Sequence, residues 1–198
     1  MKSQEGVEMN DLEKAIAKGL QSTFKEYEEM SDYWLSHAPE YFITVGVARA
    51  IYKHSGNAVF MDVSLKRIYS HRKMQGEPIV RGKPPEYLSI RPDISVWYKA
   101  SERVRAAIEV KRAYNINPIQ SDVQRMRRVV GQSYGPAVGY VIAYSEAKSL
   151  KSKLGHETLS TRFDNWANAT DTRMTAMKFG GPDDDGWWWG WCILRVDG

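Results

Sequence analysis

Leu88-Ser-Ile-Arg-Pro-Asp93-Ile-Ser-Val-Trp-Tyr98 and, after a short polar turn over 99–103, Val104-Arg-Ala-Ala-Ile-Glu109-Val-Lys111-Arg-Ala-Tyr114 read as two β-strands. Side chains alternate across a strand. In the first run Leu88, Ile90, Ile94, Val96 and Tyr98 share one face, and Ser89, Arg91, Asp93, Ser95 and Trp97 share the other. In the second, Val104, Ala106, Ile108 and Val110 oppose Arg105, Ala107, Glu109 and Lys111. Glu109 and Lys111 therefore point the same way, and a hairpin brings Asp93 onto that wall. Two carboxylates and an ammonium on one face of a sheet are costly unless something compensates them, and a divalent cation does so.

Mg2+ takes oxygen ligands, keeps several waters, and uses one or two carboxylates plus a substrate phosphate. Asp93 and Glu109 meet that count, and the Val110 carbonyl between Glu109 and Lys111 offers a backbone ligand. Such an ion lowers the pKa of a bound water and clamps a phosphoryl oxygen. Lys111 on the same face can orient that water or stabilise phosphate charge. These are the parts that phosphodiester hydrolysis needs, without a covalent nucleophile or an organic cofactor. The rival reading is a surface hairpin with an ordinary Glu-Lys pair, which is worth little.

The chain around this hairpin has 198 residues, enough for one domain with a core. No run is long enough to span a bilayer, and residues 1–10 are polar, with no apolar leader core. Cys192 is the one cysteine, so neither a disulfide framework nor a zinc cluster is available, and a reducing cytoplasm is the default location. A net charge of +4 is compatible with a polyanionic partner but is weak on its own.

Asn10 and Glu13 form a capping-box pattern, and Leu12, Ile16, Leu20, Phe24 and Tyr27 recur at helical spacing, so 11–30 is predicted helical. Pro39 suits the first turn of a second helix over 39–54. Residues 58–65 alternate as a first strand, with Asp62 facing away from the apolar row. The segment 66–86 is basic and broken by Gly76, Pro78, Gly82, Pro84 and Pro85, so it reads as an irregular loop. After the hairpin, Asn117-Pro118 reads as a cap opening a helix over 118–132, with Ile119, Val123, Met126 and Val130 as its core stripe. The apolar run 137–144 suits a strand covered on both faces, parallel to the Glu109 strand. A helix over 156–178, carrying Leu159, Phe163, Trp166 and Met174, and an aromatic strand over 187–196 close the chain. Trp187, Trp189 and Trp191 fall on one face of that strand and Trp188 on the other. Packing as an edge strand against the preceding helix explains them better than base stacking does.

Pro92-Asp93, fifteen intervening residues, then Glu109-Val110-Lys111 resembles the signature of the PD-(D/E)XK nuclease superfamily, the restriction-endonuclease-like nucleases. The resemblance covers about half the chain. The order helix, three strands, helix, strand over 39–144 is that of the superfamily core. It implies an α/β fold: a restriction-endonuclease-like mixed β-sheet flanked by helices, with an extra N-terminal helix (11–30) and a C-terminal helix-strand addition (156–196) within a single domain. It also implies a Mg2+-dependent DNA endonuclease, with Mn2+ as substitute. Asp93 and Glu109 would be metal ligands and Lys111 the catalytic cation. The family often adds an acid from the helix before the first strand. Glu40 is the candidate here, with Glu28, Glu29 and Asp62 as rivals. The recombination branch carries Gln-x-x-x-Tyr on the following helix; this chain lacks it, since Gln132 meets Tyr134 too soon and Gln124 is followed by Arg128 at that spacing.

Lys66, Arg67, Arg72, Lys73, Arg125 and Arg128 are the phosphate contacts that charge alone suggests; Asp122 and Arg125, three apart, could reach Lys111 or DNA, but a plain pairing along the helix is the favoured reading. Restriction, phage defence and DNA processing are all open pathways. Cutting both strands calls for a homodimer or a partner subunit. The other class of function in play is a non-catalytic nucleic-acid-binding or assembly module on a nuclease scaffold.

Overall fold

The computed structural model of the chain describes residues 9–32, 37–74, 85–99, 103–149 and 154–198. Helix α1 (Asp11–Ser31) begins at the expected capping box: Asn10 Oδ1 accepts from the Leu12 and Glu13 N–H groups, and the Asn10 N–H donates to Glu13 Oε2. Helix α2 (Glu40–Ser55) starts just past Pro39 and ends at Gly56, which takes the left-handed conformation. The two helices meet where side chains vanish. A Cβ at Gly46 would lie 1.8 Å from Thr23 Oγ1, and one at Gly19 would lie 2.9 Å from Val47 Cα. Gly46→Val is therefore expected to push the helices apart and cost about 1–3 kcal/mol, read from urea unfolding; an unchanged midpoint would show that the crossing gives way freely.

Six strands form one sheet in the order β1 (Ala58–Met61), β2 (Ile94–Trp97), β3 (Val104–Arg112), β4 (Val138–Lys148), β6 (Trp187–Val196), β5 (Arg173–Gly180). β3 and β4 run parallel, joined through α4 (Ile116–Arg127), and the remaining pairs are antiparallel. Both faces are covered. Ile94, Val96, Ala106, Ile108 and Val110 pack with Ile142 and Tyr144 under α1 and α2. Ala107, Val141 and Ala143 pack under α4 and α5 (Leu154–Ala169) with Ile119, Val123, Met126, Phe163 and Trp166. Helix α3 (Leu65–Met74) places Leu65, Ile68 and Tyr69 around the buried indole of Trp97.

Several expected boundaries move, each for a local reason. The first strand stops at Met61 because Asp62 has φ 54°, and Leu65 opens α3 rather than closing the strand. The supposed loop 66–86 thus begins as helix; its residues 75–84, with Arg81 and Lys83, lie outside the described residues. The hairpin's first strand shortens from 88–98 to Ile94–Trp97, since Pro92 cannot donate to a ladder and residues Glu86–Ser89 form a tight helical turn. Asp93 is consequently just ahead of β2, not in mid-strand. The helix expected over 118–132 runs Ile116–Arg127 and is capped by Asn115, whose side chain accepts from the Asn117 N–H. The helix expected over 156–178 ends at Ala169. Asp171 turns the chain at φ 47°, and an unforeseen strand, β5, follows with Met174 on it. β6 is therefore interior rather than an edge. Trp191 and Trp189 pack toward α1, where the Trp189 ring lies 4.4 Å from that of Phe24, and Trp188 packs on the opposite face.

Candidate active site

The β2–β3 ladder ends at the pair Ile94 and Ile108, whereas the β3–β4 ladder continues to Arg112 and Tyr144. The last turn of β3 is therefore unpaired on its β2 side. Side chains fill the gap. The Val110 N–H donates to Asp93 Oδ2 at 2.7 Å, and the Arg112 N–H donates to Glu40 Oε1 at 2.9 Å. Continuing the register one step past Ile94 and Ile108 sets Asp93 across from Glu109. Because a strand residue turns its N–H and C=O to the same side, the Val110 carbonyl faces the edge that holds Asp93.

Alternation puts Glu109 and Lys111 on the Ala107 face, the one covered by α4. The opposite face, with Ile108 and Val110, is the one that lies under α1 and α2. Glu109 is 3% exposed, and Arg125 of α4 reaches it at 2.7 Å. The same Arg125 nitrogen lies 3.0 Å from Asp122 Oδ1. Glu40, the first residue of α2, crosses the open strand edge and places Oε2 3.2 Å from Lys111 Nζ. Tyr144 supports that approach by donating to the Ala38 carbonyl at 3.3 Å. At the rim, Glu146 accepts from Arg112 and from the Tyr114 hydroxyl.

Asp93, Glu109, Lys111 and Glu40 are thus brought together. The rivals of Glu40 go elsewhere. The Asp62 carboxylate pairs with Arg91, Glu29 pairs with Lys25, and Glu28 is exposed on α1. Among the suggested phosphate contacts, Arg125 turns into the acidic cluster and Lys66 pairs with Glu86 at 2.6 Å, while Arg67 and Arg128 are exposed. The side chains of Arg72 and Lys73 lie outside the described residues. Asp122 joins the cluster: it pairs with Arg125, the favoured expectation, and it also feels Lys111, the less favoured one. Its signal was its place on the apolar stripe with Ile119, Val123 and Met126, where a carboxylate is costly.

Charge is unbalanced here. Among the described residues, the carboxylates of Asp93, Glu109, Asp122 and Glu40 face Lys111 and Arg125 alone, so with all four ionised two negative charges are uncompensated. Burial, and next the Asp93 charge, push the Glu109 carboxyl up to about 8 against the pull of Arg125. Burial likewise raises Asp122, with Arg125 and Lys111 opposing. Burial works against the Lys111 ammonium, but Glu40, backed by Asp122 and Asp93, outweighs it and holds the lysine above its ordinary value. Glu40→Gln is therefore expected to lower the Lys111 pKa, read by NMR titration of the ammonium group; an unchanged value would show that the Glu40 charge does not reach it.

The chain matches no family model, no curated protein and no solved structure. No described helix is long and apolar enough to cross a membrane. As the side chains stand, no three described His, Cys, Asp or Glu residues are grouped so as to hold a metal ion. That suits the pairing seen, in which Lys111 holds Glu40 and Arg125 holds Glu109 and Asp122. The donor set nonetheless fits Mg2+. The oxygens are hard, two carboxylates face each other across the strand end, and once Glu109 gives up its proton the charge deficit equals one divalent cation. One buried carboxylate oxygen, Asp122 Oδ2, also has no hydrogen-bond partner.

Proposed function

We propose that this chain is a PD-(D/E)XK-like, restriction-endonuclease-like nuclease that hydrolyses DNA phosphodiester bonds with Mg2+. The observation that carries the reading is the meeting of Asp93, Glu109 and Lys111 at the unpaired end of β3, with Glu40 reaching in from α2. Asp93, Glu109 and the Val110 carbonyl would hold the ion, with Glu40 beside them. When bound, the ion supplies Lewis acidity toward a phosphoryl oxygen and a reactive water at neutral pH.

The chain's own groups do the rest. Asp93 is fixed by the Val110 N–H, so one oxygen is anchored while the other remains available. Lys111 is partly exposed and fully charged at neutral pH, placed to meet the negative charge that builds on a phosphate. Glu40 both orients Lys111 and caps the Arg112 N–H, so it ties the ammonium to the strand end. Arg67 and Arg128 remain as exposed candidates for phosphates farther along the substrate.

The purified protein with Mg2+ or Mn2+ is expected to nick or cut plasmid DNA, and Asp93→Ala to abolish this. Cleavage that survives Asp93→Ala would end the assignment, and DNA binding without cleavage would favour the binding-module reading.

A further inference from the structure

α4 carries a carboxylate that the nuclease reading does not use. Asp122 is 6% exposed, packed among Ile119, Val123 and Met126. Its Oδ1 is held by Arg125, but Oδ2 is buried and has no hydrogen-bond partner. A buried carboxylate oxygen without a donor has lost its hydration and gained nothing in return. If Asp122 served only to pair with Arg125, the pair could form on the outer side of the helix, where two charges three residues apart cost little. Asp122 instead feels Lys111, Asp93 and Glu40, and it shares the Arg125 nitrogen with Glu109. The missing donor must therefore belong to the acidic cluster. Mg2+ keeps most of its waters and takes only one or two carboxylates directly, so an acid slightly farther out meets the ion through its hydration shell.

We propose that Asp122 is a positioning residue of this site, whose free Oδ2 accepts a hydrogen bond from a water in the hydration shell of a divalent cation held by Asp93 and Glu109. The proposal rests on the nuclease reading only in requiring that cation. It assigns α4 a share in metal binding that the Asp and Glu-x-Lys pattern does not contain. It also gives Arg125 a definite place, as the counter-charge of Glu109 and Asp122 rather than a phosphate contact.

The test is calorimetric titration of the full chain with Mn2+, without DNA. Asp122→Asn keeps the shape and removes the charge, and is expected to weaken Mn2+ binding about tenfold. Arg125→Gln removes the ion pair but leaves the carboxylate, and is expected to bind Mn2+ at least as tightly as the wild type. If Asp122→Asn does not fold, Asp122→Ser is titrated instead with the same loss expected. Affinity within about twofold of wild type in the Asp122 variant would overturn the proposal, since outer-shell partners typically contribute more than that. Equal weakening by the Asp122 and Arg125 variants would also overturn it, because Asp122 would then act only through its arginine. A wild type that binds no Mn2+ removes both this proposal and the nuclease reading. A wild type that binds Mn2+ alongside an unaffected Asp122 variant removes this proposal alone.

Discussion

Lys111→Met is expected to slow Mg2+-dependent DNA cleavage by about a thousandfold, the scale seen when one preorganised charge-stabilising group is lost. Methionine keeps most of the aliphatic stem, so the packing beneath α4 survives and the loss falls on the charge. The side chain is only partly exposed, and its ammonium is held by Glu40 at 3.2 Å. It is thus aimed before any substrate arrives, and that aim is what makes a charge catalytically valuable. Lys111→Arg is not expected to restore the rate, because a planar fork replaces a compact point charge. Single-turnover cleavage at saturating Mg2+ is the measurement, with a thermal melt to establish folding. A loss below about tenfold would remove Lys111 from the chemistry.

Glu109→Gln is expected to abolish cleavage and, in the same protein, to raise stability at alkaline pH. Glu109 holds its proton up to about pH 8 in the fold, against an ordinary value of 4.5. Below the ordinary value both the folded and unfolded chains carry the proton, and Glu109 contributes no pH slope. Between the two values the folded chain keeps a proton that the unfolded chain has released, so stability falls as pH rises, until the folded group ionises near 8. The total is on the order of a few kcal/mol. The glutamine variant has no such proton, so its urea-unfolding free energy in chelator is expected to stay flatter between about pH 5 and pH 9 than that of the wild type. Parallel profiles for the two proteins would show that Glu109 is not the strained group. On the proposed reading, the same linkage is expected to make metal binding at neutral pH release a proton, so that affinity for the ion rises with pH.

The site was readable where its geometry follows from strand alternation. The face shared by Glu109 and Lys111 does not depend on where the strand begins or ends, so misplacing the start of β2 by several residues left Asp93, Glu109 and Lys111 together. Glu40 was marked by position, as an acid in the first turn of the helix before β1. Which helix would cover the acids was not readable, because that depends on how α4 returns from β3 to β4 and not on the pattern of the strands. Asp122 was discounted because its i,i+3 spacing to Arg125 explained it locally, while its place among Ile119, Val123 and Met126 pointed inward.

Two of the missed elements, β5 and α3, share one cause: a residue that satisfies two periods. Met174 continues the helical spacing of Leu159, Phe163 and Trp166, yet Thr170, Asp171 and Thr172 break the helix and start a strand. Leu65 ends the alternating row of Val59, Met61 and Val63, yet it also begins the stripe Leu65, Ile68 and Tyr69 that packs against Trp97. In both places the deciding residue is an aspartate that turns the chain in the left-handed region, Asp171 and Asp62.

β6, the last strand in the chain, lies between β4 and β5. During synthesis β4 keeps a bare edge, and β5 has no strand to pair with, until residues 187–196 have emerged. β4 is also the strand on which β3 and its acids lean. The sheet is therefore closed from the inside by its final piece, and a nascent chain carrying Asp93, Glu109 and Lys111 lacks a finished framework around them until that piece is inserted.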